Sequence, residues 1–538
     1  MINTRTSLNR WDALLVVLLL AVTTVYSVRF FAFSMHPKED AAILMRYANH
    51  VAEGHGIVWN VGEAPVDGAT DFLFMVLLAG LVKAGTSVEA AARGVGFGAH
   101  ILTVVLVFLA LRTLHRSNRW LALTASLFLA LGPGLGYIAA YFGTPFFALF
   151  VAVTWWLAHL AATRPDSYRT GLAFALAALA TGLIRPEGVL FTAFMLIAVV
   201  WMKGLRGSRR VWISYIVTFA VLGGAYFLWR YRYFGHPLPN PFYKKGGGHL
   251  YVESLRFAVR HTIQLCGPFL LAFVVGFRSA AMTRRTIFAL IPTVGFVGMW
   301  ILLSNEMNFL MRFQYALVPV VLISSCGLLT GLVDDWKLPR PASLDRRGAV
   351  VLYVLLAVVF AGVLHYQYRR YSHIPRYRDG RYDVAQMLRE YRDLGYTLAT
   401  TESGLLPLYS DWRVVDAWGL NDPWIARHGG VTESYLESQD PEIIVFHEFL
   451  SPIVAGVGHE SWSQMVETLK AYAEKHGYAL AASYGETPRD LHSYYVRPDF
   501  AGSGEIVTRI RRMDYFWHAS GRKCTNYAAF VSDLPSRP

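Results

Sequence analysis

The feature that most restricts the fold of this chain is a succession of long apolar segments separated by short polar connections. The first, Trp11–Phe33, has about 23 mostly apolar residues, enough to cross a bilayer as a helix. Similar segments lie near 93–112, 120–141, 145–163, 170–184, 187–202, 210–229, 262–278, 286–303, 313–333 and 348–366. Segment 72–82, with about eleven residues, is too short to span, and we predict a re-entrant or interfacial helix there. The pattern predicts a polytopic α-helical membrane protein with about 11 transmembrane helices.

Composition and charge agree with a membrane protein and give its orientation. Hydrophobic residues make up 54% of the chain and charged residues 16%, against about 25% in typical soluble domains. The net charge of +13 lies largely in short loops, so it is an orientation signal and does not indicate nucleic-acid binding. The basic connections are 115–119, 163–169, 203–210, 278–285 and 335–347. The positive-inside rule places them with the N-terminus in the cytoplasm.

The alternate connections then face the periplasm or exterior, and they carry polar residues that a simple connector does not need. The large first outer loop, 34–71, begins with the adjacent carboxylates Glu39 and Asp40. Carboxylates suit general-base catalysis on a hydroxyl, and arginine and lysine suit phosphate binding. The other candidates on this face are His55, Arg185, Glu187, Arg230, Arg232, Asn240, Tyr243, Lys244, Lys245, Glu306 and Arg312.

The tail is polar enough to form a soluble domain outside the membrane. Helical patterns at 381–395 and 461–477 alternate with strand patterns at 396–401, 413–418, 441–446 and 478–484. We therefore predict a membrane domain over 1–366 and a periplasmic or extracytoplasmic α/β domain over 367–538. The tail tryptophans Trp412, Trp418, Trp424 and Trp462 suit core packing better than stacking on sugar rings.

Four stretches carry a resemblance to a known family. The segment EDAAILMRYANHVAEGHGIVWNVGE resembles the first outer loop of the GT-C superfamily of glycosyltransferases, which use polyprenyl-phosphate sugars. LIRPEGVLF, WRYRYFGHPLPNPFYKK and GLLPLYSDWRVVDAWGLNDPWIAR resemble later segments of the same superfamily. The resemblance is strongest to the terminal arabinofuranosyltransferase branch of mycobacterial cell-wall assembly. It implies a GT-C-like catalytic domain over 1–366 in a bacterial inner (plasma) membrane.

The resemblance implies transfer of a sugar, D-arabinofuranose in that branch, from a polyprenyl-phosphate donor to an extracytoplasmic glycan or protein acceptor. It places the catalytic acid in the first outer loop, where we choose Asp40 as the general base and Glu39 as its substitute. Lys244, Lys245 and Arg312 are the candidates for the donor phosphate, and Arg185 with Glu187 for orienting the sugar or phosphate. Some members use a divalent metal, but no His/Asp cluster here has the spacing of metal ligands. The predicted partners are the lipid-linked donor, the acceptor and membrane lipids, with no nucleic acid.

Alternatives remain open at several of these positions. Glu39 and Asp40 also suit the N-terminus of a helix beginning near Ala41, since acids are favoured there. Lys244 and Lys245 also suit lipid headgroup contacts, and Arg185 with Glu187 suits a structural ion pair. His55 lies in a Gly-His-Gly turn, where a structural role competes with ligand binding. A mannosyl- or hexosyltransferase on the same scaffold, or a transporter or flippase of lipid-linked sugars, are the competing functions.

Overall fold

The computed structural model describes residues 8–30, 35–245, 250–335, 378–448, 459–488, 490–517 and 520–528, with 358, 361–362 and 365–366. The chain forms two compact units. Unit 1 comprises Met1–Phe31, Ala92–Trp229 and Leu250–His373, and unit 2 comprises Ala32–Ala91, Arg230–His249 and Ile374–Pro538. The boundary predicted between 366 and 367 falls next to undescribed residues and stays a prediction.

Helices make up most of the chain before residue 336. In chain order they are α1 Arg10–Phe30, α2 Glu39–Glu53, α3 Phe72–Lys83, α4 Val88–Thr113, α5 Arg119–Ala130, α6 Gly134–Ala139, α7 Thr144–Thr163, α8 Tyr168–Ile184, α9 Glu187–Gly207, α10 Arg209–Thr218, α11 Gly224–Phe234, α12 Asn240–Lys244, α13 Val252–Cys266, α14 Leu271–Val275, α15 Ala280–Gly298 and α16 Leu317–Asp335. A π-helical turn, Phe219–Gly223, joins α10 to α11. Short 3₁₀ turns cover Gly267–Leu270, Gly276–Arg278, Met299–Leu302 and Phe309–Met311.

Eight helical stretches in the described part of the chain are long and apolar enough to cross a membrane. They are Arg10–Arg29, Val88–Thr113, Arg119–Ala139, Thr144–Thr163, Glu187–Gly207, Arg209–Phe234, Val252–Arg278 and Ala280–Leu302. Three shorter apolar helices are Phe72–Lys83, Tyr168–Ile184 and Leu317–Gly331. Ten of the eleven predicted spans therefore coincide with an apolar helix. The eleventh, 348–366, lies largely outside the described residues, so the count of eleven stays a prediction.

Helix α3 has the length expected for a segment that does not cross. Its 12 residues span about 18 Å at 1.5 Å per residue, well short of a hydrocarbon core of about 30 Å. It belongs to unit 2 together with the first outer loop. Its re-entrant or interfacial placement stays a prediction.

Large aromatic side chains fill the interior of unit 1. Trp155 of α7 is fully buried, stacks on Phe288 of α15 with ring centroids 4.8 Å apart, and donates from Nε1 to Ser324 Oγ of α16 at 3.1 Å. Phe191 of α9 packs against Phe296 of α15 at 4.2 Å. Apolar side chains on several sides of each helix are typical of buried or membrane-spanning helices, and here they join four of them.

Unit 2 contains one mixed sheet of six strands in the order β2-β1-β3-β5-β4-β6. The strands are β1 Thr397–Thr400, β2 Arg413–Asp416, β3 Ile443–His447, β4 Ala479–Gly485, β5 His492–Val496 and β6 Thr525–Asn526. Strands β1, β2 and β3 pair in parallel, and β5, β4 and β6 continue the sheet antiparallel. The tail helices are Gly380–Leu388, Leu405–Ser410, Pro423–Arg427, Glu433–Gln439, His459–Lys475 and Ser503–Arg511, with a 3₁₀ turn Arg389–Leu394. The predicted α/β tail is confirmed.

The first outer loop is part of the same folded body as this sheet. The Arg46 guanidinium on α2 is buried and donates to the carbonyl oxygens of Trp59 and Trp412, both at 2.9 Å, and of Pro407. The Asn60 side chain pairs with the backbone of Val414, accepting from its N–H at 2.9 Å and donating to its carbonyl at 3.0 Å. These bonds satisfy the exposed edge of β2, which is an outer strand of the sheet.

Candidate functional site

The two adjacent acids lie in the first turn of α2. The helix begins at Glu39, and the side chain of its N-cap residue, Lys38, makes no capping hydrogen bond. Carboxylates in a first turn are stabilised by the helix dipole and the unpaired N–H groups. The helix start predicted near Ala41 is therefore present, two residues earlier, and both acids lie in its first turn.

Hydrogen bonds and an ion pair hold the Glu39 carboxylate against other residues of unit 2. Its Oε2 accepts backbone N–H bonds from Gly404 at 2.7 Å and Leu405 at 3.1 Å, and its Oε1 lies 3.1 Å from Nη1 of Arg381. A Cβ at Gly404 would lie 2.3 Å from the Glu39 carbonyl oxygen, so only glycine permits this approach. Glu39 Oε2 thus joins α2 to the segment that follows β1, and Oε1 joins it to the helix that precedes β1.

Arg381 gathers three carboxylates in a buried group. Besides Glu39, its guanidinium binds Asp379 through Nη2 at 2.6 Å and Nε at 3.0 Å, and it binds Glu402 through Nη1. Burial, together with the charges of Glu402 and Asp379, raises the pKa of Glu39 against the opposing effect of Arg381. Burial acts to raise the pKa of Glu402, but the Arg381 charge together with the contacts to His492 and His447 outweighs burial and holds that pKa well below its usual range. The group concentrates negative charge beside the start of α2.

Asp40 is the neighbouring acid in the same turn and is half-buried. Successive helical residues are rotated by about 100°, so its side chain leaves α2 in a different direction from Glu39. The two acids therefore have separate surroundings, although they are adjacent in sequence.

The remaining candidates of unit 2 lie mostly against the tail. Asn240 is buried and its side-chain amide donates to the carbonyls of Gly419 and Leu420, both at 2.9 Å. The Lys244 ammonium lies 4.1 Å from the centroid of the Trp418 ring, a cation–π contact. Tyr243 packs edge-on against Phe242, and Lys245 is half-buried at the end of α12. Nearby, Arg230 forms an ion pair with Asp67.

His55 lies in a turn between two glycines. It is 41% exposed and its Nε2 lies 3.7 Å from Glu53 Oε2. The flanking Gly54 and Gly56 have φ of +90° and +86°, which non-glycine residues rarely adopt. A role in substrate binding stays a prediction.

Unit 1 brings Arg185, Glu187 and Arg312 together around aromatic rings. Arg185 Nε lies 2.5 Å from Glu187 Oε1, and both side chains are largely buried. The guanidinium carbons of Arg185 and Arg312 lie 5.3 and 5.0 Å from the centroid of the same Phe313 ring. Arg312 also lies 4.2 Å from the Phe142 ring centroid. Two arginines on one aromatic ring form a surface suited to an anion.

The backbone near Arg312 is strained. Met307, Leu310 and Met311 have φ of 58°, 51° and 63°, a left-handed conformation that costs such residues about 1–3 kcal/mol each. The Tyr137 hydroxyl donates to the Leu310 carbonyl at 2.6 Å and helps hold this conformation. Glu306, another candidate, precedes the strained segment and is 8% exposed. Strain of this kind clusters at functional sites.

The structure thus divides the predicted site residues into two groups. Glu39, Asp40, His55, Asn240, Tyr243, Lys244 and Lys245 belong to unit 2, and Arg185, Glu187, Glu306 and Arg312 belong to unit 1. The common cavity predicted for all of them stays a prediction. Trp412, Trp418 and Trp462 are buried, as expected of core residues, and Trp424 stacks on Tyr435 at 4.1 Å.

The sequence analysis did not identify several residues that form important contacts in the structure. Arg381, Asp379 and Glu402 form the charged group beside α2, and Glu402 also lies near His447 and His492 in an arrangement with the geometry of metal ligands. Their local signals are a charged Asp-Gly-Arg at a helix start and polar residues at strand ends. Neither signal shows which residues these side chains contact, because those residues lie far away in the chain.

Comparison with known proteins identifies the fold. ArnT from Cupriavidus metallidurans, bound to undecaprenyl phosphate, matches with a TM-score of 0.53 at 14% identity over 90% of this chain and 98% of that one. The archaeal oligosaccharyltransferase AglB from Archaeoglobus fulgidus, in complex with an inhibitory peptide and a dolichol-phosphate, matches at 0.52 and 12% identity over 91% and 75%. The mycobacterial arabinofuranosyltransferase AftD matches at 0.52 and 16% identity, over 94% of this chain and 41% of that one.

Sequence comparisons are less informative. Residues 367–500 match a family described as a domain of unknown function, DUF8728. Curated proteins give no sequence match. The apolar helices, the C-terminal sheet and the solved structures together confirm the predicted fold class, that of a multi-pass membrane protein with the GT-C fold and a C-terminal α/β domain.

Proposed function

We propose that this chain is a membrane glycosyltransferase that moves a sugar from a polyprenyl-phosphate donor to a glycan or protein acceptor outside the cytoplasm. The GT-C fold supports this, because solved structures with that fold include one bound to undecaprenyl phosphate and one in complex with a dolichol-phosphate. D-Arabinofuranose is the first sugar to test, given the sequence resemblance and the likeness to AftD. A hexose such as mannose is the alternative.

The observation that carries the proposal is the position of two adjacent acids in the first turn of α2. Gly404, Leu405 and Arg381 hold the Glu39 carboxylate, and Asp40, which has contacts of its own, leaves the same turn in another direction. An inverting displacement needs one carboxylate to accept the proton of the attacking hydroxyl. We assign that task to Asp40, and we assign to Glu39 the positioning of the turn.

The arginines of unit 1 are the proposed phosphate-binding groups. Arg185 and Arg312 share the Phe313 ring, and a planar guanidinium can donate two hydrogen bonds to a phosphate. Lys244, which also contacts Trp418, and Lys245 are the proposed additional cations. In this scheme Glu187 orients Arg185 through their ion pair.

The test is a transfer assay on the purified full chain. Labelled polyprenyl-phosphate arabinofuranose and labelled polyprenyl-phosphate hexoses are each incubated with candidate acceptors, and label in the acceptor is measured. We expect transfer from one donor class, and loss of about 10²–10⁴-fold in rate in Asp40→Asn. Glu53→Gln, at the exposed C-terminal end of the same helix, is the control and should keep its activity.

Each alternative gives a distinct result in this assay. A flippase would move the lipid-linked donor across vesicles without labelling any acceptor. Activity of Asp40→Asn within a few-fold of the unmodified chain would place the base elsewhere. Label transfer from hexose donors alone would replace the arabinofuranosyl assignment.

A further inference from the structure

Two histidines and a glutamate meet where three neighbouring strands of the unit 2 sheet end. His447 at the end of β3 pairs in register with His492 at the start of β5, and Glu402 follows β1 on the other side of β3. Glu402 Oε1 lies 3.4 Å from His492 Nε2 and 3.7 Å from His447 Nδ1. The three candidate ligand atoms all lie within 4.8 Å of one another.

These separations are those of ligands around a single small cation. Zn²⁺ binds imidazole nitrogen and carboxylate oxygen at about 2.0–2.2 Å, so adjacent ligands of a tetrahedral site lie about 3.4 Å apart. The two distances from Glu402 Oε1 agree with that edge to within a few tenths of an ångström. Two imidazoles and one carboxylate form a donor set that suits zinc, and three protein ligands leave the fourth position open.

In each imidazole, the nitrogen farther from Glu402 has a polar partner. The nitrogen nearer Glu402, which is Nδ1 of His447 and Nε2 of His492, is therefore the one that can bind a metal. His447 donates from Nε2 to Asp490, and because a neutral imidazole carries one N–H, its Nδ1 then has a lone pair directed toward the group. His492 Nδ1 lies 3.3 Å from the Tyr515 hydroxyl, which in turn contacts Tyr494 at 3.1 Å. Carboxylates and other polar groups that orient ligating histidines in this way are typical of metal sites.

The environment of His492 Nε2 also points to metal binding. Its side chain is 1% exposed, and its Nε2 lies 3.4 Å from Glu402 Oε1 without the geometry of a good hydrogen bond. Buried polar nitrogens without a hydrogen bond are rare and need an explanation.

We propose that Glu402, His447 and His492 bind one zinc ion, with Asp490 and Tyr515 as the groups that orient the histidines. The second oxygen of Glu402 binds Arg381, which in turn contacts Glu39 in the first turn of α2. The ion therefore stabilises the contacts that fix the start of the helix bearing Asp40. The proposal concerns metal binding and does not depend on glycosyl transfer.

The test measures metal content directly. The full chain in detergent is treated with a chelator, dialysed against Zn²⁺, and analysed by elemental mass spectrometry; Co²⁺ replaces Zn²⁺ in a parallel sample for absorption spectroscopy. We expect one Zn²⁺ per chain and the visible absorption of tetrahedral Co²⁺. His447→Gln and His492→Gln should lose both signals. Asp490→Asn, at a 40% exposed side chain, should keep its fold and bind zinc about 10–100-fold more weakly.

The control uses another group of similar composition. Glu433, Glu437 and His476 are also close enough together to bind an ion, but all three are exposed. His476→Gln should leave the zinc content and the cobalt spectrum unchanged. Retention of zinc by His447→Gln and His492→Gln, loss of zinc in His476→Gln, or an unmodified chain that binds no zinc would each overturn the proposal.

Discussion

Replacing Arg381 by methionine should destabilise unit 2 more than any exposed ion-pair substitution. Arg381 is 5% exposed and is the partner of three carboxylates, with contacts of 2.6 Å to Asp379 and 3.1 Å to Glu39 and a further ion pair with Glu402. Removing one member of a buried ion pair costs about 3–5 kcal/mol, because the charges left behind are unpaired and desolvated. For a body the size of unit 2, this is a fall of about 6–20 °C in the unfolding midpoint.

The assay is thermal unfolding of the full chain in detergent, followed by tryptophan fluorescence with a chelator present so that metal binding does not contribute. Trp412, Trp418 and Trp462 are buried in unit 2 and report on its unfolding. Arg509→Met is the matched control, because Arg509 makes two contacts of 2.6 Å to Glu390 at an exposed position. Exposed pairs contribute about 0–1 kcal/mol, so its midpoint should move little. Equal shifts in the two variants would refute the argument that burial makes the Arg381 group important.

Three further predictions test the helix start, the phosphate site and the orientation. Gly404→Ala should cost about 1–3 kcal/mol, because its Cβ would lie 2.3 Å from the Glu39 carbonyl oxygen, whereas Gly430→Ala, with open space around it, should be neutral in the same unfolding assay. Arg312→Ala should raise the donor KM about tenfold or more with little effect on the acceptor KM, and Arg312→Lys should rescue the donor KM only partly. The control is Arg210→Ala, because Arg210 also lies over an aromatic ring, that of Tyr168. An unchanged donor KM in Arg312→Ala would exclude Arg312 from the phosphate site. Reporters fused after Asp335 and after Gly380 should lie in the cytoplasm and outside it, respectively, and two reporters on one side would contradict the predicted topology.

The parts of the fold that follow from local pattern could be predicted from the sequence. Apolar runs of about 20 residues predict helices because such a run must satisfy its backbone within itself in lipid, and the helices indeed follow those runs. Alternation of strand and helix patterns likewise predicted β1 to β4. Strand β5 was missed, although its register with β3 places His492 beside His447.

The parts that depend on distant contacts could not be predicted in the same way. The resemblance and the residue types predicted Asp40 as the catalytic acid with Glu39 as its substitute, but they did not predict that Gly404, Leu405 and Arg381, hundreds of residues later, contact Glu39. Helical and strand periodicities describe which face of an element is buried, and they contain no information on which remote segment covers it. The same limit explains why Glu402, His447 and His492 have no recognisable ligand spacing in the sequence.

Unit 2 is built from three stretches of chain that are synthesised at widely separated times. Arg46 donates to Trp412, 366 residues downstream, and Asn60 pairs with Val414, 354 residues downstream. At a synthesis rate of about 5–20 residues per second, the second partner appears about 20–70 s after the first. During that interval the guanidinium of Arg46 can bind the Trp59 carbonyl but lacks the carbonyls of Pro407 and Trp412. A nascent chain that ends before residue 407 contains all of the early loops and lacks the groups that complete their fold, so these loops reach their final contacts only after the residues up to Val414 are synthesised.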